Sequence, residues 1–145
     1  MAIVVNGSNK GNFIANNKQL QNIYANGVLV WENWKPWSNS ASGSWDSYPS
    51  SPQYATVNIP ANTRVTHISA ESSKAYVDGE YGRTIIEGYY NGSWHELARS
   101  DLGLSISSCS WSGDIYMSSV RSRFEFQVCR SVKTKVSVSG LTKGN

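Results

Sequence analysis

The sequence predicts an all-β protein, an antiparallel β-sandwich of the jelly-roll kind preceded by a small N-terminal β-hairpin module. Three observations predict it. Val and Ile number 21 against 6 Leu, with 17 aromatic residues, a composition suited to pleated, half-buried surfaces. Ser, Asn, Gly and Thr make up 55 of 145 residues, and charged residues only 16%, so turn formers stand where a helical protein carries charge. Finally, short segments alternate apolar and polar residues between Asn-Gly, Asp-Gly and Pro-containing breaks. A helical bundle, a coiled coil and a doubly wound nucleotide binder are excluded by the same facts.

At 145 residues there is room for one core and a small appendage. Residues 1–35 read as the small β module. Ile3-Val4-Val5 precedes Asn6-Gly7, and Gln21–Tyr24 leads through Ala25-Asn26-Gly27 into Val28–Trp31. An Asn-Gly pair between apolar runs is a strong hairpin signal, because a tight primed turn needs positive φ at both central positions. Residues 36–53 hold three of the four prolines and seven serines, and that density of breakers predicts a linker or long surface loop.

Residues 54–145 read as the sandwich domain. Tyr54–Ile59 stops at the Pro60-Ala61-Asn62 turn, and Arg64–Ala70 follows. Tyr76-Val77 runs into Asp78-Gly79. Thr84–Tyr90 and Ser93–Arg99 flank Asn91-Gly92, a second hairpin. Leu104–Ile106, Ile115–Met117, Phe124–Arg130 and Thr134–Val138 complete the expected strands. Period two with one polar face indicates antiparallel strands that are wet on one side. Ser110–Gly113 reads as a turn after Cys109.

Two stretches resemble known families. Gln21-Asn22-Ile23-Tyr24-Ala25-Asn26-Gly27-Val28-Leu29-Val30-Trp31-Glu32 resembles hairpins common in tail, baseplate and fibre proteins of phages of Gram-positive bacteria, and Met1–Gly7 is of the same kind. The likeness covers about a fifth of the chain. Val57-Asn58-Ile59-Pro60, and Gly88-Tyr89-Tyr90-Asn91-Gly92-Ser93-Trp94-His95-Glu96-Leu97, are similar in pattern to galactose-binding-like (discoidin-type) sandwiches. No sugar-binding residue carries over by position. The first resemblance implies a virion structural protein that assembles with itself or with other virion proteins, in threefold or sixfold symmetry if it belongs to a tail. It also implies residence in the virion, and the start Met1–Asn6, without signal-peptide features, is expected to mean synthesis in the host cytoplasm. The alternative is a free-standing carbohydrate-binding module or lectin.

Candidate ligand residues are Trp45, Asp46 and Tyr48 in the 36–53 segment. Aromatic faces pack on sugar C–H surfaces while short polar groups bond the hydroxyls. Trp31, Trp34 and Trp37 are candidate interface residues, since a short sheet must pack against something to be stable. No catalytic residue is assigned and the chain is expected not to be an enzyme. His95-Glu96 is followed by Arg99 where a zinc protease motif needs histidine, no serine elbow or phosphate loop is present, and the carboxylates suggest no pairing. No metal site or cofactor is expected.

Arg121, Arg123, Lys133 and Lys135 could form a basic stripe toward an anionic glycan or a neighbouring subunit. More simply, they line a solvated face that also protects an edge. A net charge of +3, scattered along the chain, gives no nucleic-acid footprint. No apolar run is long enough to span a membrane, and Met1–Asn6 lacks the features of a signal peptide. Cys109 and Cys129 are expected to be free thiols. His95 is expected to share a strand face with Leu97 and Arg99, and His67 to be an ordinary sheet residue.

Overall fold

The structure is a computed structural model that describes residues 14–15, 18–19, 22–25, 28–46, 53–74, 82–103, 106–126 and 131–143. The chain divides into two compact units, residues 1–35 with 143–145, and residues 36–142. In the first, β1 (Ile14–Ala15) pairs with β2 (Lys18–Gln19), and β3 (Asn22–Ala25) pairs antiparallel with β4 (Val28–Glu32). Ala25 faces Val28 across the β3–β4 pair, the register that a two-residue Asn-Gly connection imposes.

The second unit is the sandwich. Its strands are β5 (Trp34–Asp46), β6 (Gln53–Asn58), β7 (Thr63–Lys74), β8 (Gly82–Tyr90), β9 (Ser93–Arg99), β10 (Ile106–Tyr116), β11 (Ser119–Phe126) and β12 (Ser131–Lys143). The first sheet has the order β10-β7-β12-β5 and the second the order β6-β11-β8-β9. The alternation seen in sequence packs the sheets together. Val132, Thr134, Val136 and Val138 are buried on β12, Val65, Ile68 and Ala70 on β7, Ala55 and Val57 on β6, and Val120 and Phe124 on β11. Each turns its polar neighbours outward, as a sheet with one dry face must.

Part of the interior is polar and internally satisfied. Thr134 Oγ1 accepts from Ser72 Oγ at 2.8 Å and also bonds Ser122 Oγ across the sandwich. Thr84 Oγ1 donates to the Ser107 carbonyl at 3.0 Å. Buried hydroxyls keep their free energy only when paired in this way.

The predicted Asn91-Gly92 turn is present. Tyr90 pairs with Ser93, and Asn91 and Gly92 have φ of 50° and 81°, the left-handed conformation that a primed turn needs. Gly140 has a different role. A Cβ there would lie 2.0 Å from the Arg64 carbonyl oxygen, so only glycine allows β12 to approach β7 where their register shifts.

Three sequence expectations are corrected. The segment 36–53 is not a linker throughout, because residues through Asp46 belong to β5, an edge strand of the first sheet. Pro36 is tolerated because an edge strand can leave one side of its ladder unpaired. Trp37 and Ala41 pack on the core, while Ser38, Ser40, Ser42 and Ser44 are exposed, so period two is kept with small residues. Secondly, Ser110–Gly113 is not a turn but lies inside β10, whose serines alternate with the half-buried Cys109 and Trp111. Thirdly, β11 begins at Ser119 rather than near Phe124. Tyr76–Gly79, Gln127–Arg130 and the last part of the 36–53 segment lie outside the described residues.

Candidate functional site

The inward residues build the core, and the outward ones build two unlike surfaces. On the first sheet, register aligns short side chains in rows: Ser112 with His67 and Ser139, Ser110 with Ser69 and Ser137, Ser108 with Glu71 and Lys135. The serines of β5 extend these rows, and three shallow depressions run between the strands. One is lined by Ser38, Ser40, His67, Ser69, Ser137 and Ser139. Another lies among Ser69, Glu71, Ser108, Ser110, Lys135 and Ser137, and the third among Ser42, Ser44, Glu71, Ser73, Lys133 and Lys135. They exist because serine is too short to fill the space over the pleat. His67 Nδ1 lies 3.0 Å from Ser112 Oγ.

The outer face of the second sheet is built from long side chains. Its rows are Tyr54, Arg123, Ile85 and Arg99, then Thr56, Arg121, Glu87 and Glu96, then Asn58, Ser119, Tyr89 and Trp94. At the centre, the Arg121 guanidinium carbon sits 4.3 Å from the centroid of the Tyr54 ring and 4.0 Å from that of Trp94. Its Nε donates to Glu87 Oε1 at 2.8 Å. Arg123 Nε is 3.4 Å from the same oxygen, and its Nη1 donates to Glu125 Oε1 at 2.5 Å. Tyr89 meets Trp94 edge-on, with centroids 5.3 Å apart. A guanidinium held between two rings is stabilised electrostatically by both π faces and loses rotational freedom.

A β-bulge completes this face. Ile86 pairs with Ala98 and Glu87 with Glu96, which leaves Leu97 without a partner. The extra residue turns both Glu96 and Arg99 outward, where Arg99 Nε donates to Glu96 Oε1 at 2.5 Å. The Arg99 guanidinium holds the Glu96 carboxyl below its ordinary range. The expectation that His95, Leu97 and Arg99 share one face is therefore corrected. His95 instead stacks on Tyr90 at 4.1 Å, and its Nε2 lies 3.1 Å from the Tyr90 carbonyl.

The four cationic residues that the sequence offered as a basic stripe, or more simply as one solvated face, do not share a surface. Arg121 and Arg123 lie on the outside of the second sheet, and Lys133 and Lys135 on the outside of the first. Of the candidate ligand residues, Trp45 and Asp46 are placed by their backbone at the end of β5. Their side chains, and all of Tyr48, lie outside the described residues. Of the interface candidates, Trp37 is half-buried and packs on the sandwich core, Trp34 is half-buried, and the side chain of Trp31 lies outside the described residues. Sequence reasoning did not single out Trp94 or Glu87. Tyr54 enters the sequence reading only as the start of a strand, and Arg121 only in the group of four cationic residues.

His67 lies on β7 and His95 on β9, in different sheets. Among the described residues no three His, Cys, Asp or Glu side chains gather as metal ligands would. Cys109 is a free thiol. Burial of its side chain pushes the thiol up to about 11, which suits a packing residue rather than a nucleophile. Cys129 lies outside the described residues. No described helix is long and apolar enough to cross a membrane.

No protein-family model matches the sequence, and no curated protein is significantly similar to it. Among solved structures, the chain is similar to the Yersinia pseudotuberculosis-derived mitogen, with 13% identity over 77% of this chain and 89% of that one, at a TM-score of 0.49. It is also similar to a chain in the structure of infectious bursal disease virus Gx strain. There the identity is 11% over 86% of this chain and 43% of that one, at a TM-score of 0.40.

Proposed function

We propose that the chain is a non-enzymatic virion component of a phage of a Gram-positive host, placed in the tail, baseplate or fibre. In this reading it assembles with itself or with other virion proteins and contacts a host-surface glycan. The observation that carries the reading is the outer face of the second sheet, where Arg121 is held between Tyr54 and Trp94 on a rigid ladder. Arginine and aromatic side chains supply most of the energy of protein recognition surfaces, and a packed sandwich presents them without a cost in ordering. The Gln21–Glu32 hairpin, with its phage-like pattern, supports the virion setting.

Mass spectrometry of purified virions tests it. The protein is expected in the particle, in a copy number that is a multiple of three or six if it sits in the tail. Absence from virions, with the protein abundant in infected cells, overturns the reading.

A free-standing carbohydrate-binding module is the second reading, favoured by the 38% exposure of Tyr54 beside polar partners. Retention of the isolated, monomeric protein on a glycan array would favour it. Within either reading, Trp45→Ala, Asp46→Ala or Tyr48→Ala is expected to weaken host-cell binding while leaving the melting temperature nearly unchanged.

A further inference from the structure

We propose that Arg121, clamped between Tyr54 and Trp94, is the recognition group of a binding site for an oxyanion carried on a sugar or polyol, either a uronate carboxylate or a polyol phosphate. The proposal rests on the glycan-contact part of the reading above and names the chemistry of that ligand.

The argument begins with what the guanidinium has left to offer. Its carbon lies over two rings, 4.3 Å from the centroid of Tyr54 and 4.0 Å from that of Trp94. Its Nε–H is committed to Glu87 Oε1 at 2.8 Å. What remains is the edge carrying the two Nη groups, which make no hydrogen bond to any described residue. The side chain is 22% exposed, so that edge can be reached from solvent. A planar pair of N–H donors matches the two oxygens of a carboxylate or phosphate, and here the fork is already fixed in orientation before any ligand arrives.

A second, independent observation concerns the balance of charge. On this face four guanidinium groups, of Arg83, Arg99, Arg121 and Arg123, meet three carboxylates, of Glu87, Glu96 and Glu125. One carboxylate oxygen, Glu87 Oε1, accepts the hydrogen bond of Arg121 Nε and is only ion-paired, at 3.4 Å, with Arg123 Nε. Arg123 Nε is buried without a hydrogen-bond acceptor among the described residues. Donors therefore outnumber acceptors where the clamp sits, and the missing component is an anion. The exposed surface of Tyr54 beside the fork offers a flat apolar area for the C–H face of a sugar or polyol.

The test uses the full chain and four probes. Two are anionic, oligogalacturonate and poly(glycerol phosphate). Two are their uncharged counterparts, oligogalacturonate methyl ester and glycerol. Binding is followed by calorimetry and by tryptophan fluorescence. At least one anionic probe is expected to bind, its neutral counterpart not, and which of the two anions binds identifies the source. Arg121→Lys keeps the charge but loses the fork, and is expected to weaken binding about tenfold or more, the equivalent of one charge-assisted hydrogen bond. Lys135→Gln, on the opposite sheet, is expected to bind as the wild type does.

Equal binding of charged and neutral probes, no binding of either anion, or unchanged affinity in folded Arg121→Lys each overturns the proposal. An equal loss in Lys135→Gln does so as well. If Arg121→Lys does not fold, the Arg121 Nη–H resonances of the wild-type protein decide. A shift on adding the bound anion supports the site, and resonances that stay in place overturn it. Presence in virions without anion binding would fail this proposal alone, and anion binding by a protein absent from virions would fail the virion reading alone.

Discussion

The two outer faces of the sandwich obey the same alternation and reach opposite surfaces. The first sheet turns out serine after serine, and its rows leave depressions between strands. The second sheet turns out arginine, glutamate, tyrosine and tryptophan, which bridge from strand to strand. Ile85 shows the consequence. It points to the outside of the second sheet, between Arg123 and Arg99 in register, yet it is fully buried. The long aliphatic stems on either side are the neighbours that can cover it. An outer face can thus act as a second small core when its side chains are long enough to interlock. A face of short side chains contributes little beyond its backbone ladder.

That contrast can be broken most directly at Ile85. Ile85→Ala is expected to cost about 2–5 kcal/mol, the range for a buried Ile, although the residue lies on the outside of its sheet. Urea unfolding measures it, and a loss near zero would mean that the long side chains do not form a packed layer. Next in size is Glu87→Ala, which leaves Arg121 and Arg123 competing for no common acceptor. It is expected to cost about 1–3 kcal/mol, whereas Glu71→Ala or Ser69→Ala on the serine face should stay within about 0.5 kcal/mol. Equal effects on the two sheets would erase the distinction.

The Cys109 thiol sharpens the comparison from inside. With its pKa pushed up to about 11 by burial, the thiol keeps its proton in the folded state above the pH at which the unfolded chain loses it. Stability from this group is therefore intact below about pH 9 and falls as pH rises from there toward 11. In the native protein, slow reaction with a thiol reagent at pH 8, and fast reaction after denaturation, is the expected readout. The smallest effect is expected at Asp114, whose carboxyl the Arg64 guanidinium holds below its ordinary range. A lowered carboxylate contributes stability above its unfolded pKa and loses it as pH falls through the folded one. Because Asp114 is exposed, Asp114→Asn should shift the acid limb of a stability-against-pH curve only slightly, and less in high salt.

Much of the sandwich was legible in the residues. Gln53–Asn58, Gly82–Tyr90 and Ser93–Arg99 are strands close to where alternation places them. Asn91-Gly92 is a turn because its two residues accept positive φ at little cost. The candidate site was far less legible. Tyr54 and Arg121 are 67 positions apart in the chain, and nothing in local sequence says that their strands are neighbours.

Local preferences are written in the residues themselves: period two, branched and aromatic residues, and turn chemistry, each acting over a few neighbouring positions. Three features instead depend on how distant strands pair. The serine- and proline-containing 36–46 stretch became a strand because an edge of the first sheet was open to it. The cationic residues of β11 and β12 parted to opposite faces because those strands joined different sheets. A single bulge opposite Ile86 and Glu87 brought Glu96 and Arg99 to the same side. The physical reason is common to all three. Which face a side chain occupies depends on the partner strand and its register, and those are set by burial summed over the whole sandwich rather than by any short window of sequence.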